Sequence, residues 1–348
     1  MTSLTRVAVT ARKAVRYSIF FLIFLIVGKI VFDIGSGIYR RIFPPPPPPP
    51  TVLFGKLPSL PFREKEKPNL TFSLETPEGG LPTTASQAKV YFMPELAPNL
   101  LSLDVAKDKA SSLGFNQTEQ EISPTLYQFP HKSTPARLEI NIVTGVFSIS
   151  YDLAADSSPL ARRPPAPEVA ASNVRSYLSS AGLLPEDLSG PTTHEFLKIA
   201  GDKFVSALAL SEADLVKVNL FRKSYDDLPS LTAEAGSANV WFLVSGAQER
   251  EKQIIAGQFH YFPVDEGKYS TYPLKTSQEA WEEFNAGKYY LATPGLNKDG
   301  EGVKIRRIYL AYFDPGTPAE FFQPIFVFEG DRGFIAYLPA VSPEYYGD

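Results

Sequence analysis

Three features of the 348-residue chain point to an α+β body carried behind a single N-terminal membrane helix. They are one apolar run at Tyr17–Phe32, seven consecutive prolines at Pro44–Pro50, and three short helical patterns that each lead into strands of period two. The expected order is a cytoplasmic N-terminus over 1–13, a transmembrane signal anchor over 14–34, and a proline-rich stalk and linker over 35–87. A first helix-plus-hairpin unit over 88–160 and a second, larger α+β region over 161–348 follow.

Between Tyr17 and Phe32 only Ser18 and Lys29 are strongly polar, and flanking Ala14 and Val15 bring the stretch near the roughly 20 residues that cross hydrocarbon. Tyr17, Phe20, Phe21, Leu22, Ile23, Phe24, Leu25, Ile26 and Val27 form its apolar body. Lys29, near one end, can run its stem along the helix and place its ammonium among headgroups. Arg6, Arg12, Lys13 and Arg16 precede the span without an acid, whereas Asp33, Arg40 and Arg41 follow it. That bias predicts a cytoplasmic N-terminus and an extracytoplasmic body anchored in the cell membrane. A cleaved secretory signal is the rival reading, with Gly35-Ser36-Gly37 its weak cleavage candidate; otherwise that triplet reads as a flexible joint.

Seven prolines favour a polyproline II spacer rising about 3.1 Å per residue. From Thr51 to Thr84 the chain stays rich in Pro, Gly and charge with no sustained period, so it reads as an extended linker laid in part against the body. The chain has no Cys, which excludes disulfides, thiolate metal sites and cysteine nucleophiles and fits a bacterial surface protein. Residues 1–43 hold seven of the 34 Lys/Arg and one of the 38 Asp/Glu, leaving a formal charge of −10 beyond them. Such a body argues against nucleic acid and against electrostatic attachment to anionic wall polymers.

Each helical pattern has its own punctuation. Ser102 can cap a helix that turns Val105, Ala106, Ala110 and Leu113 inward and stops at Gly114. Pro167–Ala181 places Ala170, Val174, Tyr177, Leu178 and Ala181 at helical spacing before Gly182 and Pro185. Thr276-Ser277-Gln278-Glu279 is a capping box, after which Ala280, Trp281 and Phe284 face inward up to Gly287. Leu138, Ile140 and Ile142 then line one strand, Thr144-Gly145 reverses the chain, and Phe147, Ile149 and Tyr151 line the return. Further strands are expected at Phe196–Ile199, Phe204–Leu210 and Leu215–Phe221, with a turn at Gly201-Asp202. The last strands run from Ile308 to Tyr312 and form a closing hairpin of Pro324–Phe328 and Phe334–Leu338. Helices on one face of antiparallel sheets are the α+β layers this order implies.

The segments Asp104-Val105-Ala106 through Leu113-Gly114-Phe115 and Glu139 through Val146 resemble the helix and strand–Thr-Gly–strand hairpin of PepSY-type domains. Tyr272–Ala280, Ala286-Gly287-Lys288, Ile308–Tyr312 and Gln323–Gly330 resemble the C-terminal unit of YycH/YycI-type ectodomains. The resemblance implies a single-span extracytoplasmic protein that contacts or restrains a membrane sensor kinase or another envelope partner. It carries no catalytic residues, and the proline stalk and long linker depart from its layout.

The residue pattern offers little catalytic chemistry. His131, His194 and His260 are widely separated, and no nucleophile elbow or phosphate-binding glycine loop is present. Asp226-Asp227, Glu282-Glu283 and Glu329 with Asp331 are adjacent or near-adjacent acids that do not converge on one point. No catalytic residue, metal ligand or cofactor is therefore assigned. Aromatic side chains are a stronger signal: Tyr269, Tyr272, Tyr289, Tyr290, Phe321 and Phe322, with Gln323, cluster around the third helix and its turns. Adjacent aromatics cannot all face inward from a one-sided sheet, so these residues form the candidate partner-binding groove. The function they imply is a non-catalytic, membrane-anchored sensory or regulatory domain binding an envelope protein or peptide. An envelope scaffold and a wall-polysaccharide hydrolase are the alternatives.

Overall fold

A computed structural model describes residues 3–42, 48–63, 65–201 and 203–347. The chain divides into two compact units, Met1–Pro49 and Pro50–Asp348. The first contains α1 (Ser3–Ile42), within which the 21 residues Arg16–Ser36 are long and apolar enough to cross a membrane. Tyr17 and Phe20–Val27 are each about half exposed or more, as lipid-facing side chains would be. The expected joint at Gly35-Ser36-Gly37 lies inside this helix, where Ser36 Oγ donates to the Asp33 carbonyl at 3.0 Å. Of the proline run, Pro44–Pro47 lie outside the described residues, and Pro48–Pro50 carry neither helix nor strand.

The second unit opens with β1 (Thr71–Leu74), β2 (Gln87–Phe92), α2 (Ser102–Ser112), β3 (Gln120–Ser123), β4 (Leu126–Pro130), β5 (Ala136–Asn141) and β6 (Phe147–Tyr151). Next come α3 (Pro167–Ser180), β7 (Thr192–Ala200), β8 (Lys203–Ser206), β9 (Leu215–Leu220), β10 (Ser230–Thr232), β11 (Val240–Val244), β12 (Ile254–Phe259) and β13 (Asp265–Pro273). Then follow α4 (Ser277–Asn285), β14 (Tyr290–Thr293), β15 (Gly302–Asp314), β16 (Phe321–Phe322), β17 (Pro324–Gly330) and β18 (Ile335–Pro339).

Nine antiparallel strands form one sheet in the order β3-β4-β5-β6-β12-β11-β9-β7-β8. The boundary expected at 160/161 therefore falls inside a single sheet, because β6 pairs directly with β12. Helices α2 and α3 cover one face of it through Ala106, Ala110, Ala170, Val174 and Leu178, and the Tyr177 hydroxyl donates to the Leu113 carbonyl at 3.2 Å. Val105, expected inward, is 58% exposed, whereas Ala106, Ala110 and Leu113 are buried. The opposite face carries Glu195, Lys217, Trp241 and Gln258, with Lys217 Nζ 3.1 Å from Glu195 and Trp241 Nε1 donating to Gln258 at 2.8 Å. One covered face and one polar face is the usual antiparallel solution. The strand expected to reach Leu210 ends at Ser206, and Asp202 of the expected turn lies outside the described residues.

A six-stranded sheet follows the order β1-β15-β17-β18-β14, with β10 also on β15, and β1 and β10 run parallel to β15. Helix α4 begins with the expected box: Glu279 N donates to Thr276 Oγ1 at 3.2 Å, and Thr276 N donates to Glu279 at 2.7 Å. Phe284 stacks on Phe328 with ring centres 4.3 Å apart and meets Phe72 at 4.5 Å. The other face of this sheet is also covered, by Leu60, Phe62, Ala233 and Ala235. A three-stranded sheet, β13-β2-β16, adjoins the aromatic cluster of Tyr91, Met93, Tyr225, Phe262, Tyr312 and Phe322.

The largest departure from expectation concerns residues 51–87. Leu57 and Leu60 are buried, Leu57 bridges to Tyr346, Phe72 enters the aromatic packing beneath α4, and β1 extends the six-stranded sheet. Their apolar positions are too widely spaced to show a period because each docks on a distant partner rather than on a neighbour in sequence.

Candidate functional site

The predicted groove residues separate into two groups. Tyr272 and Phe322 are 0% exposed, and Tyr289, Tyr290, Phe321 and Gln323 are buried as well, whereas Tyr269 is 45% exposed. An exposed aromatic groove made of all seven is therefore corrected to a buried set with Tyr269 at the surface. For Tyr289 and Tyr290 the physical reason is that the six-stranded sheet is covered on both faces. Tyr289 packs toward α4 at 4.8 Å from Phe284, and its neighbour Tyr290 packs on the opposite side, parallel to Phe62 at 4.6 Å. Phe322 stacks on Tyr312 at 5.0 Å, and Phe321 lies 4.9 Å from Phe54. Gln323 Nε2 donates to the Pro58 carbonyl at 3.0 Å, and the Tyr272 hydroxyl donates to the Gly55 carbonyl at 2.9 Å.

Tyr269 borders a small polar cluster. Asp226 and Asp227 both take positive φ, 48° and 64°, in the tight turn closed by Tyr225 and Leu228. That turn presents the Asp226 carboxylate to Lys89 Nζ at 2.7 Å and to the Tyr91 hydroxyl at 2.6 Å, while Lys89 Nζ sits 4.6 Å from the Tyr269 ring centre. Partial burial pushes Asp226 upward, but the hydrogen bonds from Lys89 and Tyr91 outweigh it and hold the carboxyl below its ordinary value. The carboxylate is thus occupied by internal donors. The other acidic groups behave similarly: Glu283 takes Lys275 at 2.8 Å, Glu329 takes Arg307 and Tyr309, and Asp331 accepts from Lys304 N. His131 pairs with Thr134 at 2.9 Å and His260 with Gln258, and among the described residues no group of three or more His, Asp and Glu converges on a point.

A different arrangement surrounds Tyr289 and Tyr290. The left-handed Gly287, at φ 80°, ends the turn after α4 and starts the chain toward β14, which leaves Lys288 exposed at the mouth of a cleft of about 490 Å³. Across from β14, Phe62, Arg63, Lys65 and Lys67 line the cleft. Lys67 Nζ lies 4.4 Å from the Tyr289 ring centre and donates to the Gly287 carbonyl at 2.9 Å. Burial holds this ammonium below its ordinary pKa. Lys65 Nζ lies 5.4 Å from the Tyr290 ring centre, 3.5 Å from the Ala292 carbonyl and 3.8 Å from Glu234. Among the described residues, Arg63, Lys67 and Lys288 make no ion pair.

Four cations thus converge on one cleft of a net acidic chain, so overall charge is a poor guide to this surface. Two of the predicted aromatic residues line it, but as supports for lysines rather than as exposed anchors. The cationic residues of 63–67 were not anticipated; the alternating signs of that segment were the available signal. A second cleft of about 550 Å³, lined by Phe92, Leu96, Phe262, Pro318 and the acids Glu95 and Glu320, lacks such convergence.

No protein-family description and no curated protein matches the chain. Among solved structures it is similar to an uncharacterized protein from Eubacterium rectale ATCC 33656, with 12% identity and a TM-score of 0.33, over 76% of this chain and 85% of that one. That distance assigns neither fold family nor activity.

Proposed function

We propose that this protein is a membrane-anchored, non-catalytic binding domain of the same broad kind as YycH/YycI-type ectodomains, facing away from the cytoplasm and holding an anionic envelope protein or peptide in its basic cleft. The observation that carries this reading is the convergence of Arg63, Lys65, Lys67 and Lys288 on Tyr289 and Tyr290. Lysines held against aromatic faces and main-chain carbonyls are partly desolvated, so a carboxylate entering the cleft meets cations less screened than those on an open surface. The apolar helix supports the anchor, and its basic flank supports the orientation.

The test is binding of fluorescent poly-L-glutamate to the full chain in neutral detergent. Wild type should bind it in a salt-sensitive manner, and Arg63→Glu with Lys288→Glu should weaken binding at least tenfold. Both positions are exposed, so the fold should remain unchanged by circular dichroism. Equal affinity of wild type and variant, or equal affinity for poly-L-lysine, would remove the cleft from the account.

A further inference from the structure

We infer that α1 pairs with α1 of a second copy of this chain inside the membrane, Lys29 of each copy meeting Asp33 of the other. The inference rests on the membrane-anchored reading and goes further by naming what the polar residues of the span do. Within Arg16–Ser36 the strongly polar side chains beyond Arg16 are Ser18, Lys29, Asp33 and Ser36. At about 100° per residue these four fall within an arc of about 60°, and the rest of the circumference carries only apolar side chains, Tyr17 and glycine. Lipid surrounds a lone span evenly and gives no reason to gather its polar groups on one side. Leu22 lies within the arc, and Leu25 and Phe32 border it. Ser18, Leu25 and Phe32 thus recur every seven residues, as do Leu22, Lys29 and Ser36, the repeat by which two helices keep one seam in contact. The stretch is 0% buried, so nothing among the described residues covers this stripe.

The two charges supply the complementarity. Lys29 lies seven residues, about 10 Å, inside Ser36, so its ammonium either climbs to the headgroups or finds an acid. Asp33 stands four residues on along the same side, but a lysine N-terminal to an acid at that spacing is the weaker order for pairing within one helix. Among the described residues neither group joins an ion pair. Copies inserted in the same direction hold equal positions at equal depth, and a two-fold axis between them sets Lys29 of each beside Asp33 of the other. The contact is self-complementary, with two lysines and two aspartates alternating and no net charge left between the helices.

Because the chain has no native Cys, single cysteines report which side of the helix meets its counterpart. The full chain is expressed in one cell with two different tags, and the membranes are oxidised with copper phenanthroline. Leu22→Cys and Leu25→Cys should form disulfide-linked dimers at least fivefold more than Val27→Cys and Val31→Cys, which lie on the far side. In the Leu25→Cys background, Lys29→Asp alone and Asp33→Lys alone should each lose at least fivefold, since four like charges then meet. The same two variants expressed together should link to each other as efficiently as the parent, a recovery that neither snorkelling nor pairing within one chain provides. Equal linking from all four positions, or charge reversals without effect, overturns the pairing and leaves Lys29 a snorkelling residue. Linking of Leu25→Cys to a different protein in place of a second copy overturns self-association. Where a reversal fails to insert, Lys29→Gln/Asp33→Asn replaces it, with the same fivefold loss expected; undiminished linking of that neutral form overturns the inference equally. Release of wild type from membranes by alkaline carbonate defeats the anchor itself, and the pairing with it.

Discussion

Replacing Arg222 by Met should lower the free energy of unfolding by about 3–5 kcal/mol, the cost of removing one member of a buried ion pair. Its side chain is 1% exposed and pairs with Asp187, while its Nε lies 3.0 Å from Asp314 Oδ2, within ion-pair range but not aligned as a hydrogen bond. It also donates to the Phe262 carbonyl and lies 4.4 Å from the Tyr261 ring centre. Burial alone would pull the guanidinium down, but the charges of Asp314 and Asp187 outweigh it and hold the group above its ordinary pKa, so it stays charged. Asp187 in turn accepts from the hydroxyls of Tyr225 at 3.0 Å and Tyr261 at 2.9 Å. The node joins the end of β9, the turn Glu186–Ser189 and the end of β15, and so ties the nine-stranded sheet to the six-stranded one. Gly190 belongs to the same junction, because a Cβ there would collide with the Phe221 and Arg222 backbone. Urea titration measures the loss. Adding Asp187→Asn and Asp314→Asn to Arg222→Met should recover part of it by removing the uncompensated charges. A single-variant loss below about 1 kcal/mol would place the pair among weakly contributing surface pairs instead.

A chain beginning at Gln87 should be far less stable than one beginning at Pro50, and should fail to unfold cooperatively. The deleted segment contributes buried Leu57 and Leu60, Phe72 beneath α4, and strand β1 on β15. It also supplies the Gly55 and Pro58 carbonyls to Tyr272 and Gln323, and the Leu60 N–H to the Tyr346 hydroxyl at 2.8 Å. Truncating a single buried Leu to Ala costs about 2–5 kcal/mol, so losing three large apolar groups together approaches the roughly 5–15 kcal/mol that a whole domain possesses. Denaturant melts of the two fragments make the comparison. Equal midpoints would mean that residues 50–86 are a surface attachment, as their composition suggests.

That contrast shows what local sequence can carry. Helices α2, α3 and α4 were legible because apolar spacing and a terminal glycine act within a few residues; the Thr276 box closed as expected, whereas Ser102, expected as a cap, lies inside α2 after Leu101 and caps nothing. The hairpin of β5 and β6 was legible for the same reason, with Leu138, Ile140, Phe147 and Ile149 on the buried side. Residues 51–87 were not, since Leu57 and Phe72 gain their meaning only from Tyr346 and Phe284. The Tyr289-Tyr290 doublet failed on one assumption, that the sheet beneath it had one covered face. With both faces covered, Tyr289 and Tyr290 are each buried on its own side. The basic cleft was half visible: its tyrosines stood out as a cluster, but its cations come from a segment with no apolar period, and the chain's negative charge concealed them.

The proposed function requires the body to lie outside the cytoplasm, for only there can its cleft meet an envelope partner. Because native Cys is absent, single cysteines at Ser3 and at exposed Glu344 can be labelled in intact cells with a membrane-impermeant maleimide, with lysed cells as the accessibility control. The expected result is labelling of Glu344→Cys alone in intact cells and of both variants after lysis. Labelling of Ser3→Cys alone in intact cells would invert the topology, and a mature chain beginning near Gly37 would show a removed signal rather than an anchor; either result contradicts the proposed membrane-anchored ectodomain.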